Sequence, residues 1–463
     1  MTISSTSASS GGSIDVNSIV TQLMTIESRP LTQLQQRESD TKAKLTAYGQ
    51  VQSAVSALQD TINRLRQSSA FAAAKATATG SAATAVAGSG AVTGRYAVSV
   101  TQLARAQSVA SGQVAAADTN IGSGALTIRS ADGSTVLATI NIGDSGPGTL
   151  TEARDEINAA GIAVKASLVN DGGKVRLVLT SSQTGASNGF QVSADPGLTG
   201  LSFTTTQTAQ DASYKINGLA LTSATNTVAE AVPGLTITLT QQPPAGSLAG
   251  TTADSEIAVD LDTDTVGTGV QAFVNAYNSL HSQISNLTKY DQTSQTAAVL
   301  NGESVLRRLQ SQVRAIVTGA KTNGAAGDYA YLSEIGISFQ SDGSLSLDKT
   351  KLSAALTADS SKVTRLFTNA AVTGAPDTDN GFAVRLSSTL TSILGPNGLL
   401  DSRQQGLQVS IKAMDDKQAA MQSQLTLTEA RLRAQYSALD ALLSTRQQQS
   451  NALANALAGV PLG

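Results

Sequence analysis

Few residues in this 463-residue chain could do chemistry. It has no cysteine and one histidine, His281. Without thiols there is no disulfide, no thiolate metal ligand and no cysteine nucleophile. His281 falls where apolar residues between Phe273 and Leu287 recur at helical spacing, so it reads as a surface or packing residue of a helix rather than a base. A zinc site would have to be built from carboxylates around one imidazole, an unusual ligand set. The best metal candidate is the alternating run Asp260, Asp262, Asp264. It matches the opening of a calcium loop, but Thr265 stands where a glycine must turn the chain. Gln271 stands where a bidentate glutamate must close the site. The run reads instead as a solvated linker and the acidic start of a helix, which the helix dipole favours. The glycines between Gly88 and Gly94 fit neither a dinucleotide fingerprint nor a phosphate loop, and no Lys-Ser/Thr pair follows them. They read as a flexible linker. Aromatics make up 3% of the chain, which argues against a sugar-stacking cleft. The expectation is therefore no catalytic residue, no cofactor and no metal: a structural protein, not an enzyme.

Charge excludes two further classes. The net charge is −3, and no run of Lys or Arg offers the concentrated basic face that displaces counterions from nucleic acid. A membrane-surface role needs a basic amphipathic stretch, and none is present. No stretch approaches the 18 or so consecutive apolar residues of a transmembrane helix. Met1 to Ser13 is a Ser/Thr/Gly-rich tract without the positive and apolar regions of a cleaved secretory signal, so export, if it occurs, uses another route. The length leads us to expect about three domains. Hydrophobic residues make up 40% of the chain with no tryptophan, so the cores must come from Ala, Val, Leu and Ile. Such cores are thin, and partner chains are expected to complete them.

The periodicity divides the chain. Asn17 is positioned to cap a helix through Ile26 in which Ile19, Leu23 and Ile26 share a face. Pro30 can open a second helix, to about Gln67. In it Tyr48, Val51, Val55, Leu58, Ile62 and Leu65 alternate spacings of three and four, a heptad seam. The C-terminal end mirrors this. Leu407, Met414, Met421 and Leu442 form one set of seam positions, and Ile411, Leu425, Leu432, Leu439 and Leu453 the other, with Gln418, Thr428, Gln435 and Arg446 as polar interruptions. That pattern predicts a helix of about 50 residues, roughly 70 Å long at about 1.5 Å per residue. Helical segments at opposite ends predict an antiparallel pair with the rest of the protein inserted between them.

Ala72 to Thr93 is Ala/Thr/Gly/Ser-rich and reads as a linker. From Arg95 to about Asp260 the period becomes two. Tyr96, Val98 and Val100 alternate with polar residues, as do Val175, Leu177 and Leu179, and Leu235, Ile237 and Leu239. Turns are marked at Asp132–Gly133, Asp171–Gly172–Gly173 and Asn217–Gly218. One helix is expected at Leu150 to Ala160, capped by Thr149 or Thr151. Two small β-domains follow from this. From Val266 helices return, with Val270, Phe273, Val274, Tyr277, Leu280 and Ile284 on one face and Val305, Leu309, Val313 and Ile316 on another. A hairpin turns at Asp342–Gly343 between Ile337–Phe339 and Leu345–Leu347, and Val384, Leu386 and Leu390 begin a helix that ends near Gly395–Pro396.

These residues carry a family resemblance. Gly12 to Met24, followed by Glu27–Ser28–Arg29–Pro30–Leu31, resembles the N-terminal signature of flagellar hook-associated protein 2, the filament cap family. Ile335 to Phe339 with Ser341 to Asp348 resembles that family's hairpin, and Tyr436 to Leu442 with Leu453–Ala454 resembles its C-terminal helix. Leu150 to Ser193 is similar to repeat modules shared with hooks and flagellins. One departure stands at the C-terminal end, where Gln447–Gln448–Gln449 replaces a more apolar run.

The resemblance implies a secreted structural cap at the distal tip of the bacterial flagellar filament, exported through the flagellar type III channel, that retains exported flagellin and promotes its folding and insertion. It implies a homo-oligomer ring, with flagellin and the hook-filament junction protein as further partners and an export chaperone at the C-terminal helix. The implied fold is multidomain α+β: terminal helices 1–70 and 396–463 as an antiparallel coiled-coil leg, a mainly helical domain of 71–94 and 263–395, one β-rich head domain of 95–118 and 205–262, and a second of 119–204. The residues expected to serve assembly are Ile19, Leu23, Tyr48, Val51, Val55, Leu58, Ile62, Leu65, Leu407, Ile411, Met414, Leu425, Leu432, Leu439, Leu442 and Leu453. The alternative is a flagellin-like or hook-filament junction protein, with a possible adhesin role for the β-domains. The Asp15 to Met24 signature and the hairpin at Gly343 fit the cap better.

Overall fold

Asp15 caps the first helix of the computed structural model, which describes residues 15–144, 146–248, 250–322, 326–369 and 377–458. Its carboxylate accepts from Ser18 N at 3.0 Å, and α1 runs Val16–Glu27. The cap therefore lies two residues before Asn17, because Asp15 reaches a free first-turn amide that Asn17, already helical, cannot. The start of the family signature, Gly12 to Ile14, lies outside the described residues. Val20 is the buried residue of α1, and Ile26 is 56% exposed, so the packed face is rotated from the expected one. Pro30 sits in the first turn of α2, Arg29–Leu65, where its missing N–H costs nothing.

The segment after α2 is not a linker. It forms β1 (Ala74–Gly80) and β2 (Ala83–Ala87), so 71–94 does not join a helical domain. The strands continue with β3 (Gly94–Gln102), β4 (Ser108–Ala110), β5 (Gly124–Ser130) and β6 (Val136–Ile142). After α3 (Leu150–Ala159) come β7 (Val164–Asp171), β8 (Lys174–Ser181), β9 (Phe190–Ala194) and β10 (Thr204–Gln207). Then follow β11 (Ala212–Ile216), β12 (Leu219–Ser223), β13 (Thr227–Val232), β14 (Leu235–Leu239) and β15 (Ala253–Leu261). β1 runs antiparallel to β15 and β2 to β14. Their partners lie 148 to 187 residues away in sequence, and a window of alanine and threonine carries no local sign of them. The corner between β1 and β2 is held by the buried Ser255, whose Oγ accepts from Ala82 N at 2.9 Å and Ala83 N at 3.0 Å.

Residues 69–266 form one compact unit. Within it a five-stranded sheet, β1-β15-β3-β11-β12, and a three-stranded one, β13-β14-β2, enclose a core that includes Val98, Val100, Ile237, Ile257 and Val259. A second core lies among β10-β4-β8-β7, β6-β5-β9 and α3, around Leu126, Ile128, Leu177 and Leu179. Val109 and Val114 belong to this second core, and β4 and β10 to its sheet. The border between the two cores therefore falls between Ala104 and Val109, not at 118. Local chemistry explains the elements. Asn217 (φ +49°) and Gly218 (φ +84°) supply the two left-handed residues of a tight hairpin. Thr149 caps α3 by accepting from Glu152 N, and Glu152 returns to accept from Gly143 N and Gly148 N at 2.9 and 2.7 Å. Leu150, Ala153 and Ile157 then bury against the sheet.

Residues 1–68 and 267–463 form the other unit. The chain enters it along α4 (Thr263–Thr288), then runs through β16 (Tyr290–Asp291), β17 (Thr296–Ala297), α5 (Ser304–Thr318), β18 (Ile337–Phe339), β19 (Leu345–Leu347), α6 (Lys349–Thr368), α7 (Phe382–Leu394) and α8 (Leu399–Ala458). The α4 face is buried as its spacing predicts. On α5 the buried residues are Leu306, Leu309, Val313 and Val317, one step round from Val305 and Ile316. α8 has 60 residues, beginning eight before Leu407, since Gly406 is accommodated inside it. Asn278 on α4 pairs both backbone groups of Leu345 at 2.8 Å, fixing the β18–β19 hairpin to the helix. The turn residue Gly343 has φ +92°, and a Cβ there would lie 2.6 Å from His281 Cε1. Gly343→Ala is therefore expected to cost about 2 kcal/mol through left-handed strain and this clash. Thermal melts followed by circular dichroism check it. His281→Ala in the same chain should return only the steric part.

Candidate assembly surface on the terminal helices

α2 and α8 pack against each other antiparallel. Gln52 accepts from Gln404 Nε2 at 3.0 Å, and further along Glu38 accepts from Gln418, so rising numbers on one helix meet falling numbers on the other. α1 extends the pairing: Arg433 Nη1 donates to Asn17 Oδ1 at 2.7 Å while its guanidinium also pairs with Glu429 one turn away. The residue expected to cap α1 instead ties α1 to α8.

The structure sorts the expected assembly residues by depth. Tyr48, Val51, Val55, Leu58, Ile62 and Leu65 are buried. They lie on the part of α2 that packs against α7 as well as α8, so they hold the chain's own helical unit together. Leu407 is buried too, and Ile19, Leu23, Ile411, Met414, Leu425 and Leu432 are half-buried along the helix pair. Leu439, Leu442 and Leu453 are 41%, 55% and 64% exposed. α8 continues past Arg433, which meets Asn17, to Ala458, and these leucines, with Leu443, form an apolar row on that stretch.

Two polar nodes lie inside the bundle. The first is Glu38, 8% exposed on the stripe Leu31, Leu34, Glu38, Leu45. It pairs with Lys42 one turn on and with Gln418 across the interface. The hydrogen bonds from Lys42 and then Gln418 hold its carboxyl below the usual glutamate range, against the opposing effect of burial. A carboxylate interrupting leucines at helical spacing is a readable signal of such a node.

The second is Glu303, at the cap position of α5. It accepts from Tyr48 Oη at 2.9 Å and from Arg403 Nη2 at 3.0 and 3.1 Å, with Lys44 Nζ at 3.5 Å. One carboxylate thus ties α2, α5 and α8. Burial opposes its charge, but Arg403 and Tyr48 outweigh burial and hold it below the usual range. Burial and the same carboxylate push the Tyr48 hydroxyl up to about 12. No local pattern marks Glu303, because its partners are 255 and 100 residues distant.

Known proteins match this arrangement along its length. The model for the N-terminus of flagellar hook-associated protein 2 matches residues 12–107, and that for its C-terminus residues 209–448. The chain belongs to the flagellar hook-associated protein 2 family. The A-type flagellar hook-associated protein 2 of Pseudomonas aeruginosa is 32% identical over 97% of this chain and 96% of its own length. The flagellar hook-associated protein 2 of Escherichia coli K12 is 29% identical over 96% of each. The crystal structure of the D1-D2-D3 domains of the flagellar cap protein FliD from Escherichia coli superposes with TM-score 0.58 at 30% identity, covering 78% of this chain and 99% of that one. The chain is a flagellar filament cap protein, a structural component of the flagellar tip. Among the described residues no cluster of three or more His, Asp or Glu could hold a metal, and no helix is long and apolar enough to cross a membrane.

Proposed function

We propose that the terminal segments 1–70 and 396–463 form a coiled-coil leg that seats this cap on the filament end, and that the apolar row on the last stretch of α8 is the part of the leg that meets other chains. The observation that carries this reading is the exposure of Leu439, Leu442, Leu443 and Leu453 on the C-terminal part of α8. Exposed leucines at helical spacing form a stripe that another helix can cover. The partners this reading assigns are further copies of the chain in a ring, flagellin in the lattice below, and the hook-filament junction protein when the filament begins. An export chaperone would cover the same C-terminal stripe before the chain leaves the cell. The β-rich unit forms the head, which keeps exported flagellin from diffusing away and leaves room for it to fold into the next site. The chain acts by contact and performs no chemical step.

Leg contacts of this kind must be repeatable, since the cap moves as each subunit adds. A stripe interrupted by Gln435 and Arg446 binds more weakly than an apolar zipper and suits that task. Immunogold electron microscopy with antibody to residues 95–260 tests the location. Label confined to filament tips supports the reading, whereas label along the shaft or at the base would replace it with a flagellin or a junction protein. The double variant Leu442→Asp with Leu453→Asp tests the leg. Purified, it is expected to melt within about 0.5 kcal/mol of the parent, because both side chains are exposed. In cells it should abolish swimming and release flagellin monomers into the medium. Normal motility would remove the stripe from the mechanism.

A further inference from the structure

The outer strand of a sheet carries a row of backbone groups without a ladder partner, a template on which another chain can add a strand. This chain guards several such edges, each in its own way. β13 is bent by a bulge, where Glu230 takes φ +71° and stands exposed. On β9 and β7 the guard is a side-chain amide. β9 ends its sheet and pairs with β5 alone. Asp195 N donates to Ala125 O, which continues that ladder. Bonding alternates along an antiparallel pair, so Gln191 and Ser193 face β5 while the N–H and C=O of Phe190 point outward. One side chain takes both. Gln107 Oε1 accepts from Phe190 N at 2.8 Å, and Gln107 Nε2 donates to Phe190 O at 2.8 Å. These are the two bonds that a residue of an added strand would make. Gly189 admits the amide, since a Cβ there would lie 2.8 Å from Gln107 Oε1. A cavity of about 500 Å³ lined by Gln107, Val192, Phe203 and Thr205 lies along the same edge, so an arriving strand has room.

The edge of β7 repeats the arrangement. Ser182 N donates to Ala163 O, so the backbone groups of Ala166 face away from β8. Asn158 of α3 accepts from Ala166 N at 3.0 Å and donates to Ala166 O at 2.9 Å. β7 has further protection, because Lys165 is exposed on it and α3 packs against it. We propose that Gln107 and Asn158 are edge plugs: each stands in for one residue of a missing strand and keeps strands of further copies of this chain from adding to β9 and β7. Copies are the competitor because an edge is complementary to itself. Two unplugged β9 strands can pair antiparallel about a two-fold axis and join their sheets into one. A strand can reach Phe190 only by displacing both bonds of the amide. The terminal helices take no part, so the proposal stands or falls independently of the leg.

Sedimentation velocity of the full-length protein over a concentration series tests it. Q107A deletes the plug on β9, and G189A displaces it while leaving Gln107 in place. Gly189 has φ −64°, open to any residue, and beyond Gln107 an added Cβ meets nothing closer than 3.3 Å, so G189A keeps the fold. Both variants are expected to self-associate roughly tenfold or more tightly than the parent, the worth of the two bonds no longer to be displaced. S193K, on the exposed face of β9, should reverse the gain in each. N158A should show a smaller gain, because Lys165 and α3 still guard β7. In the parent the Phe190 amide should exchange with deuterium as slowly as a laddered amide, and in Q107A far faster. Sedimentation of both Q107A and G189A like the parent overturns the proposal. So does association that S193K leaves untouched, which would trace it to loosened packing, and so does a Phe190 amide that already exchanges freely in the parent.

Discussion

Replacing Phe382 with alanine is expected to destabilise the helical unit by about 4 kcal/mol, the largest single effect this structure predicts. Phe382 is the first residue of α7 and is 2% exposed. Its ring stands edge-on to Phe273 of α4 at 5.4 Å and to Phe367 of α6 at 5.8 Å, with interplanar angles of 69° and 88°. The chain has seven phenylalanines and no tryptophan, and three of the seven meet here. In a core otherwise built mainly from aliphatic side chains, these three rings are among the largest fully buried groups. Truncation would lose that transfer energy, both aromatic contacts and the packing around the vacated volume. Urea unfolding followed at the helical dichroism band measures it, and Phe382→Leu should recover more than half of the loss. A cost below about 1 kcal/mol would mean that the neighbouring helices collapse into the space, and that the aromatic cluster is not the anchor of this unit.

The comparison of sequence with structure divides by the range of the interaction. The seam Tyr48 to Leu65, the α4 face and the hairpin at Gly343 were legible because each is a local repeat or a local turn. The C-terminal helix was legible in kind but not in length, since Gly406 and the polar positions after Leu399 dilute the pattern that α7 and α2 enforce. β1 and β2 were hidden because alanine and threonine in a strand look like linker until β15 and β14 arrive beside them. The heptad pattern also could not tell an outward surface from an inward one. It gave the buried Val55 and the exposed Leu442 the same standing, and only the partner helices separate them. The overlap of the two β cores was missed for a related reason. β4 is three residues long, and its membership is set by β8 and β10, not by its own sequence.

Glu303→Gln should cost about 2 kcal/mol, and its dependence on pH identifies the cause. The carboxylate is 12% exposed and serves Tyr48, Arg403 and Lys44 together. Removing one side of a fully buried ion pair costs about 3–5 kcal/mol. Arg403 and Lys44 are 38% and 39% exposed, so water takes over part of what Glu303 supplies and the expected cost is smaller. Burial works against the Glu303 charge, and the Arg403 and Tyr48 hydrogen bonds more than offset it, leaving the folded carboxyl more acidic than the unfolded one. A group depressed on folding contributes fully above its unfolded value, about 4.3, and loses that contribution as pH falls through the lower folded value. The parent should therefore lose stability as pH drops below about 4, and Glu303→Gln should show a shallower fall over the same range. Tyr48 reports from the other side. Burial and the facing carboxylate push its hydroxyl up to about 12, so neutral Tyr48 is favoured by folding. That contribution is complete below about 10 and disappears as pH rises through about 12, and Tyr48→Phe should make the alkaline fall shallower while costing about 1 kcal/mol at neutral pH. Denaturant titrations of the parent and the two single variants from acid to alkaline pH separate these effects. If the acid limb is unchanged in Glu303→Gln, the tie between α2, α5 and α8 is made by packing alone, and the terminal helices join the rest of their unit without an electrostatic lock.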